Sequence, residues 1–153
     1  MHKPKPRLRG APSTHSQGWT LTELLISLAV MGTLAALALP AYLQQQHQAR
    51  RSDAQVALQQ LQIDQARWRT QHDTYADSLT ALGWGSDQSP RGQYRISIPQ
   101  ANAEGYTLEA LPIGTQAADR DCSPLRLTWR GSATTTLSAG QHLDSDPDRC
   151  WRQ

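Results

Sequence analysis

Hydrophobic and polar positions divide the chain into three regimes, beginning with a nearly unbroken apolar run over residues 21–39, LTELLISLAVMGTLAALAL. At about 1.5 Å of rise per residue, these 19 residues are just long enough to cross a bilayer's hydrocarbon core as a helix. One carboxylate, Glu23, interrupts the run near its start. An ionised side chain in such a segment costs roughly 2.5–3.5 kcal/mol, so Glu23 is expected to have a partner and a purpose. Gly32 and Pro40 are the weak points of this helix, one through backbone freedom and the other through a missing hydrogen bond.

Past Pro40 the pattern turns amphipathic, and neither Gly nor Pro recurs before Gly83. Ala54, Leu58, Leu61 and Trp68 recur at helical spacing and form one stripe, expected to cover a sheet. Ala49, Val56 and Ile63 repeat every seven residues on the opposite side. Covering a sheet needs one stripe only. The second is read either as a surface that meets other copies of the chain or as scattered surface residues. Residues 70–91, rich in Gly, Ser, Asp and Pro, read as a loop with a short helical turn at 78–82 and with Trp84 as its anchor.

Beyond the loop, the period falls to two. Tyr94, Ile96 and Ile98 share one strand face, Tyr106, Leu108 and Ala110 a second, Leu125, Leu127 and Trp129 a third, with a weaker strand at 134–138. Strands in sequence with short connections and one apolar face predict an antiparallel meander covered by the helix. The tail from Gly140 shows no strand pattern. The expected fold is therefore α+β, a long N-terminal helix with transmembrane and amphipathic halves packed on a three- or four-stranded antiparallel sheet. The expected divisions are 1–18 as a leader, 19–40 and 41–70 as the helix halves, and 71–153 as loop, sheet and C-terminal region.

Charge sharpens the topology. Lys3, Lys5, Arg7 and Arg9 precede Gly18 with no acidic residue among them, and removing them from the 15 cations leaves 11 against 13 carboxylates, a net of −2. The basicity belongs to the leader, and the body carries no overall nucleic-acid signature. An apolar run that follows the leader, instead of lying inside it, excludes an ordinary signal peptide. The cations then keep the leader cytoplasmic and send the body across the membrane.

The two cysteines, Cys122 and Cys150, stand without a neighbouring ligand set, which argues against zinc and for a disulfide closing the C-terminal loop. Asp144, Asp146 and Asp148 alternate without the Gly and Glu spacing of a calcium loop. His2, His15, His47, His72 and His142 are dispersed, with no nucleophile elbow or phosphate loop, so no catalytic residue, metal or cofactor is assigned and the chain is read as a non-enzyme. Arg120, Arg126, Arg130, Arg149 and Arg152 with Trp129 and Trp151 are the candidate DNA-contacting set, but Asp119, Asp121 and the tail aspartates lie among them. Solvated surface charge is the preferred account of that set.

Gly18, Trp19, the following TLTE with Glu23 fifth after Gly18, the apolar run, Gly32 and the Pro40-Ala41-Tyr42 boundary together resemble a type IV prepilin. Ala54 through Leu58, Tyr75, Tyr106-Thr107-Leu108 and Cys150-Trp151 resemble more narrowly the minor pilins of the PilE kind. The resemblance implies the type IV pilin fold, cleavage between Gly18 and Trp19 by prepilin peptidase, and N-methylation of Trp19. It further implies that Glu23 pairs with the N-terminal amine of a neighbouring subunit, and that the helix from Gly32 to Pro40 loosens in the filament. Trp19 departs from the Phe usual at that place.

The implied partners are other pilin subunits, the peptidase and methylase, and the inner-membrane assembly machinery. The implied location is the inner membrane with a cytoplasmic N-terminus and a periplasmic head, then the extracellular pilus. Three functional readings remain: a minor pilin serving pilus biogenesis, adhesion, twitching or DNA uptake; a pseudopilin of type II secretion; and a DNA-receptor pilin.

Overall fold

The structure is a computed structural model that describes residues 19–131, 134–141 and 147–151. The chain divides into two compact units, Met1–Leu39 and Pro40–Gln153. Helix α1, Leu21–Arg69, contributes to both and has Pro40 within it. In the first unit, the apolar residues of α1 are exposed, and the helix is long and apolar enough to cross a membrane.

The second unit is built on four strands, β1 Tyr94–Ala101, β2 Gly105–Pro112, β3 Leu125–Arg130 and β4 Thr134–Ala139. They form one antiparallel meander in the order β1-β2-β3-β4. Alternation places Tyr94, Ile96, Tyr106, Leu108, Ala110, Leu125 and Leu127 on the face that meets Ala54, Ala57, Leu58 and Leu61 of α1. Small alanines on the helix allow close approach, and larger side chains from the sheet fill the space between. Ile98 is only half-buried because the β1–β2 register shifts between Ser97 and Gln100. Gly105 pairs with Arg130, and a Cβ there would stand 2.2 Å from the Trp129 carbonyl oxygen, so no other residue fits without moving the strands.

Two expectations need correction. Trp68 does not reach the core; it is partly exposed and stacks on His72 at 3.6 Å between ring centroids. Its place on the inner stripe belongs to Gln65, fully buried, whose Nε2 donates to the Ala76 carbonyl at 2.7 Å while its Oε1 accepts from the Ala76 amide at 2.9 Å. Residues 78–82 are not helical but form hydrogen-bonded turns, with the Leu82 and Trp84 amides both donating to the Leu79 carbonyl. In the tail, where no strand was expected, the described residues include a short helix, α2, Pro147–Trp151.

Beyond the Gln65–Ala76 contact, the loop ahead of β1 is fastened to α1 closer to β1. The Trp84 indole N–H donates to Asp64 at 3.0 Å, as expected of an anchor. Buried Asp53 accepts from the Ser89 hydroxyl at 2.5 Å and from the Arg91 amide at 3.0 Å.

Candidate functional site

Two sites follow from the sequence: the start of α1, and the disulfide-bearing C-terminal region. At the first, Gly18 lies outside the described residues, and Trp19 is exposed just before the helix. Thr20 stands at the N-cap. Its backbone N–H donates to Glu23 Oε2 at 3.1 Å, its hydroxyl donates to the same oxygen at 3.2 Å, and the Glu23 N–H donates to Thr20 Oγ1 at 3.3 Å. This reciprocal pair is a capping box, which satisfies two backbone donors left over at a helix start. The helix dipole also favours a carboxylate in the first turn. Thr20 was missed as a functional residue, although the Thr-x-x-Glu spacing was visible in the chain.

Further along α1, Gly32 has open space where a Cβ would stand, and Pro40 begins the second unit. Ala49, Val56 and Ile63 are exposed, the latter two at 53% and 55%, so this stripe has no cover within the described residues of the molecule.

In the C-terminal region, Cys122 and Cys150 are joined by a disulfide with their Cα atoms 5.5 Å apart. The bridge ties α2 to the β2–β3 connection, and hydrogen bonds reinforce it. Arg51 Nη1 donates to the Arg149 carbonyl at 3.3 Å, Gln55 Nε2 to the Trp151 carbonyl at 3.0 Å, and the Trp151 indole to the Ser138 carbonyl at 3.1 Å. Asp119, in the same connection, accepts a two-pronged pair from Arg51 on α1. Gln116 adds donations from its Nε2 to the Tyr94 hydroxyl at 3.0 Å and to the His47 carbonyl at 3.1 Å. Burial pushes the Tyr94 phenol up to about 12.

Most described members of the candidate DNA-contacting set are engaged elsewhere. Arg126 is paired with Glu109 across β2 and β3, and Arg149 with Asp121 at 2.8 Å. Trp129 packs in an aromatic group with Tyr75 and Tyr106, and Trp151 is held by Ser138. Arg120 and Arg130 are exposed, and Arg152 lies outside the described residues. Of the three tail aspartates, Asp144 and Asp146 also lie outside them, and Asp148 falls within α2.

A helix of this length capped by Thr20 and Glu23, a meander of four strands and a disulfide at the C-terminal end form a recognisable combination. A family model described as "Type IV minor pilin ComP, DNA uptake sequence receptor" matches residues 40–126, more than half of the chain. The chain belongs to the type IV pilin family. This pilin is 31% identical over 98 residues to the type IV major pilin protein PilA of Myxococcus xanthus, covering 64% of this chain and 44% of the relative. It is 33% identical over 90 residues to the type IV major pilin protein PilE of Neisseria gonorrhoeae, covering 59% and 54%. A fimbrial protein of Neisseria meningitidis is 31% identical over 90 residues, covering 59% and 53%. The pilin thus spans about half the length of the curated relatives it matches. Type IV pilins are structural proteins and not enzymes.

Proposed function

We propose that this pilin is a minor subunit of a type IV pilus, cut between Gly18 and Trp19, methylated at Trp19, and held in the inner membrane by the first part of α1 until it is drawn into the filament. The observation that carries the reading is the capping box between Thr20 and Glu23 at the head of an exposed apolar helix. It holds a carboxylate, in a segment where carboxylates are costly, at the place where a new N-terminal amine would arise after Gly18. An amine from a neighbouring subunit is the counter-charge that Glu23 lacks inside lipid, and meeting it lowers the cost of both charges. Gly32 and Pro40 supply the places where α1 loosens on packing.

Two substitutions test this. Gly18→Ala retains the leader, read as a higher mass of the membrane-extracted protein. Glu23→Ala is inserted and cut but is depleted from sheared filaments. Normal cleavage of the first variant overturns the prepilin assignment, and normal incorporation of the second removes the assembly role of Glu23.

A second reading, a DNA-receptor pilin, is favoured by the matching family's description as a DNA uptake sequence receptor. Among the described members of the candidate set, Arg120 and Arg130 are exposed, whereas Arg126 and Arg149 already have carboxylate partners. Titrating the purified pilin with duplex DNA at two salt concentrations tests it. Phosphate contacts make affinity fall steeply with salt, so binding that is absent or insensitive to salt rejects the reading.

A further inference from the structure

On the sheet, at the end marked by the β1–β2 turn, lies a cleft of about 460 Å³ lined by Gln100, Asn102, Glu104, Thr107, Thr128 and Arg130. Its volume falls within the range of small-molecule sites. Gln100, Thr107 and Thr128 are neighbours in register on three successive strands, and the two threonine hydroxyls are 3.4 Å apart. The Asn102 Oδ1 is committed to the turn, accepting from the Glu104 and Gly105 amides at 2.8 and 2.9 Å, while its NH2 group has no hydrogen-bond partner among the described residues. Among the described residues, the side chains of Gln100, Glu104 and Arg130 have no hydrogen-bond or ion-pair partner. Gly131 also contributes. It lines the cleft with backbone only, whereas the Trp129 indole packs with Tyr75 and Tyr106 on the other face of the sheet.

The chemistry of this lining selects one kind of ligand. One guanidinium and one carboxylate cancel, so a phosphate-rich ligand gains no excess of cations there. Amides, hydroxyls and charged ends are too polar for an apolar ligand, whose entry would strip water from donors and acceptors without replacing their bonds. A neutral polyol offers alternating O–H donors and acceptors for the amides, threonines, carboxylate and guanidinium. We propose that the cleft binds a neutral glycan through a hexose or N-acetylhexosamine residue. The proposal goes beyond the pilus-subunit reading and does not depend on how α1 is processed or assembled.

The full chain, held in lipid nanodiscs free of sugar-based detergent, is titrated with glucose, galactose, N-acetylglucosamine, lactose and chitobiose. N-acetylneuraminic acid and a DNA duplex are the charged comparisons. Saturation-transfer NMR reads binding. At least one neutral sugar is expected to bind with a dissociation constant on the order of 1 mM, the affinity of a single small exposed site. Gln100→Ala and Thr128→Val each weaken it about tenfold, a factor that corresponds to about 1.4 kcal/mol. Near-UV circular dichroism checks the fold of both, and Gln100→Glu, which keeps the size and adds a charge, replaces Gln100→Ala if that variant fails to fold. Absence of any neutral-sugar binding overturns the proposal, as does binding untouched by these substitutions or confined to the sialic acid or the DNA.

Discussion

Arg51 and Asp119, 68 residues apart in sequence, form a two-pronged ion pair in the second unit, with Nε to Oδ2 at 2.7 Å and Nη2 to Oδ1 at 2.8 Å. Both side chains are nearly buried, at 10% and 7% exposure. The hydrogen bonds to Asp119 are the main reason the Arg51 guanidinium holds its proton more tightly than usual. The pair fixes the β2–β3 connection to α1. Asp119→Ala leaves Arg51 buried without its counter-charge and is expected to cost about 3–5 kcal/mol, whereas Arg51→Met combined with Asp119→Leu restores most of the loss. Urea unfolding of the micelle-held protein, followed by tryptophan fluorescence, measures both. A small loss in the single variant would mean that water reaches the pair.

The disulfide acts on the same region through the unfolded chain. Cys122 and Cys150 are 28 positions apart. By loop-closure entropy, removing the bridge costs about 3–4 kcal/mol. Cys122→Ser with Cys150→Ser, and the parent protein under reducing agent, should lose stability to the same extent in urea. A much smaller loss would show that the hydrogen bonds from Arg51, Gln55 and Trp151 hold α2 by themselves.

Two buried phenols set an alkaline limit. Burial pushes Tyr94 and Tyr106 up to about 12 from the ordinary value near 10. The unfolded chain therefore ionises both first and releases their protons at a pH where the folded state still keeps them. Their contribution is complete below pH 10 and is lost as the pH rises from about 10 to about 12. Unfolding midpoints taken across that window should fall, and the fall should be smaller in Tyr106→Phe. An equal fall in parent and variant would remove Tyr106 as a cause.

Much of this architecture was legible in the chain because it is carried by period. The apolar run, the Ala54, Leu58 and Leu61 stripe and the alternating strands follow from helix and strand geometry, with only the end of each element uncertain. What spacing could not supply was which polar residues go inside. Arg51, Asp53 and Gln65 lie beside or within the inner face of α1, and each is buried because a distant partner satisfies it: Asp119, Ser89 and Ala76. Those partners become neighbours only after the chain has folded. Trp68 misled for the complementary reason. Its spacing pointed inward, but at the last turn of α1 its ring found His72 instead. In the C-terminal region, the cysteine pairing was readable from type and position, whereas the pairing of Arg126 and Arg149 with carboxylates needed the strand register and the course of the tail.

The outer stripe of α1 gives the sharpest separation between folding and assembly. Val56 and Ile63 are 53% and 55% exposed, on the side of the helix away from the sheet, while Ala57, Leu58 and Leu61 bear the packing. Val56→Glu and Ile63→Glu therefore touch no core contact, and each should change stability by no more than about 0.5 kcal/mol. If the stripe meets neighbouring subunits, the same carboxylates would be buried there without a partner and would resist assembly. The expected outcome is unfolding curves that overlay the parent, normal membrane levels, and a strong depletion of both variants from sheared filaments. Incorporation equal to the parent would mean that these two residues are ordinary exposed side chains and that the outer stripe is no assembly surface.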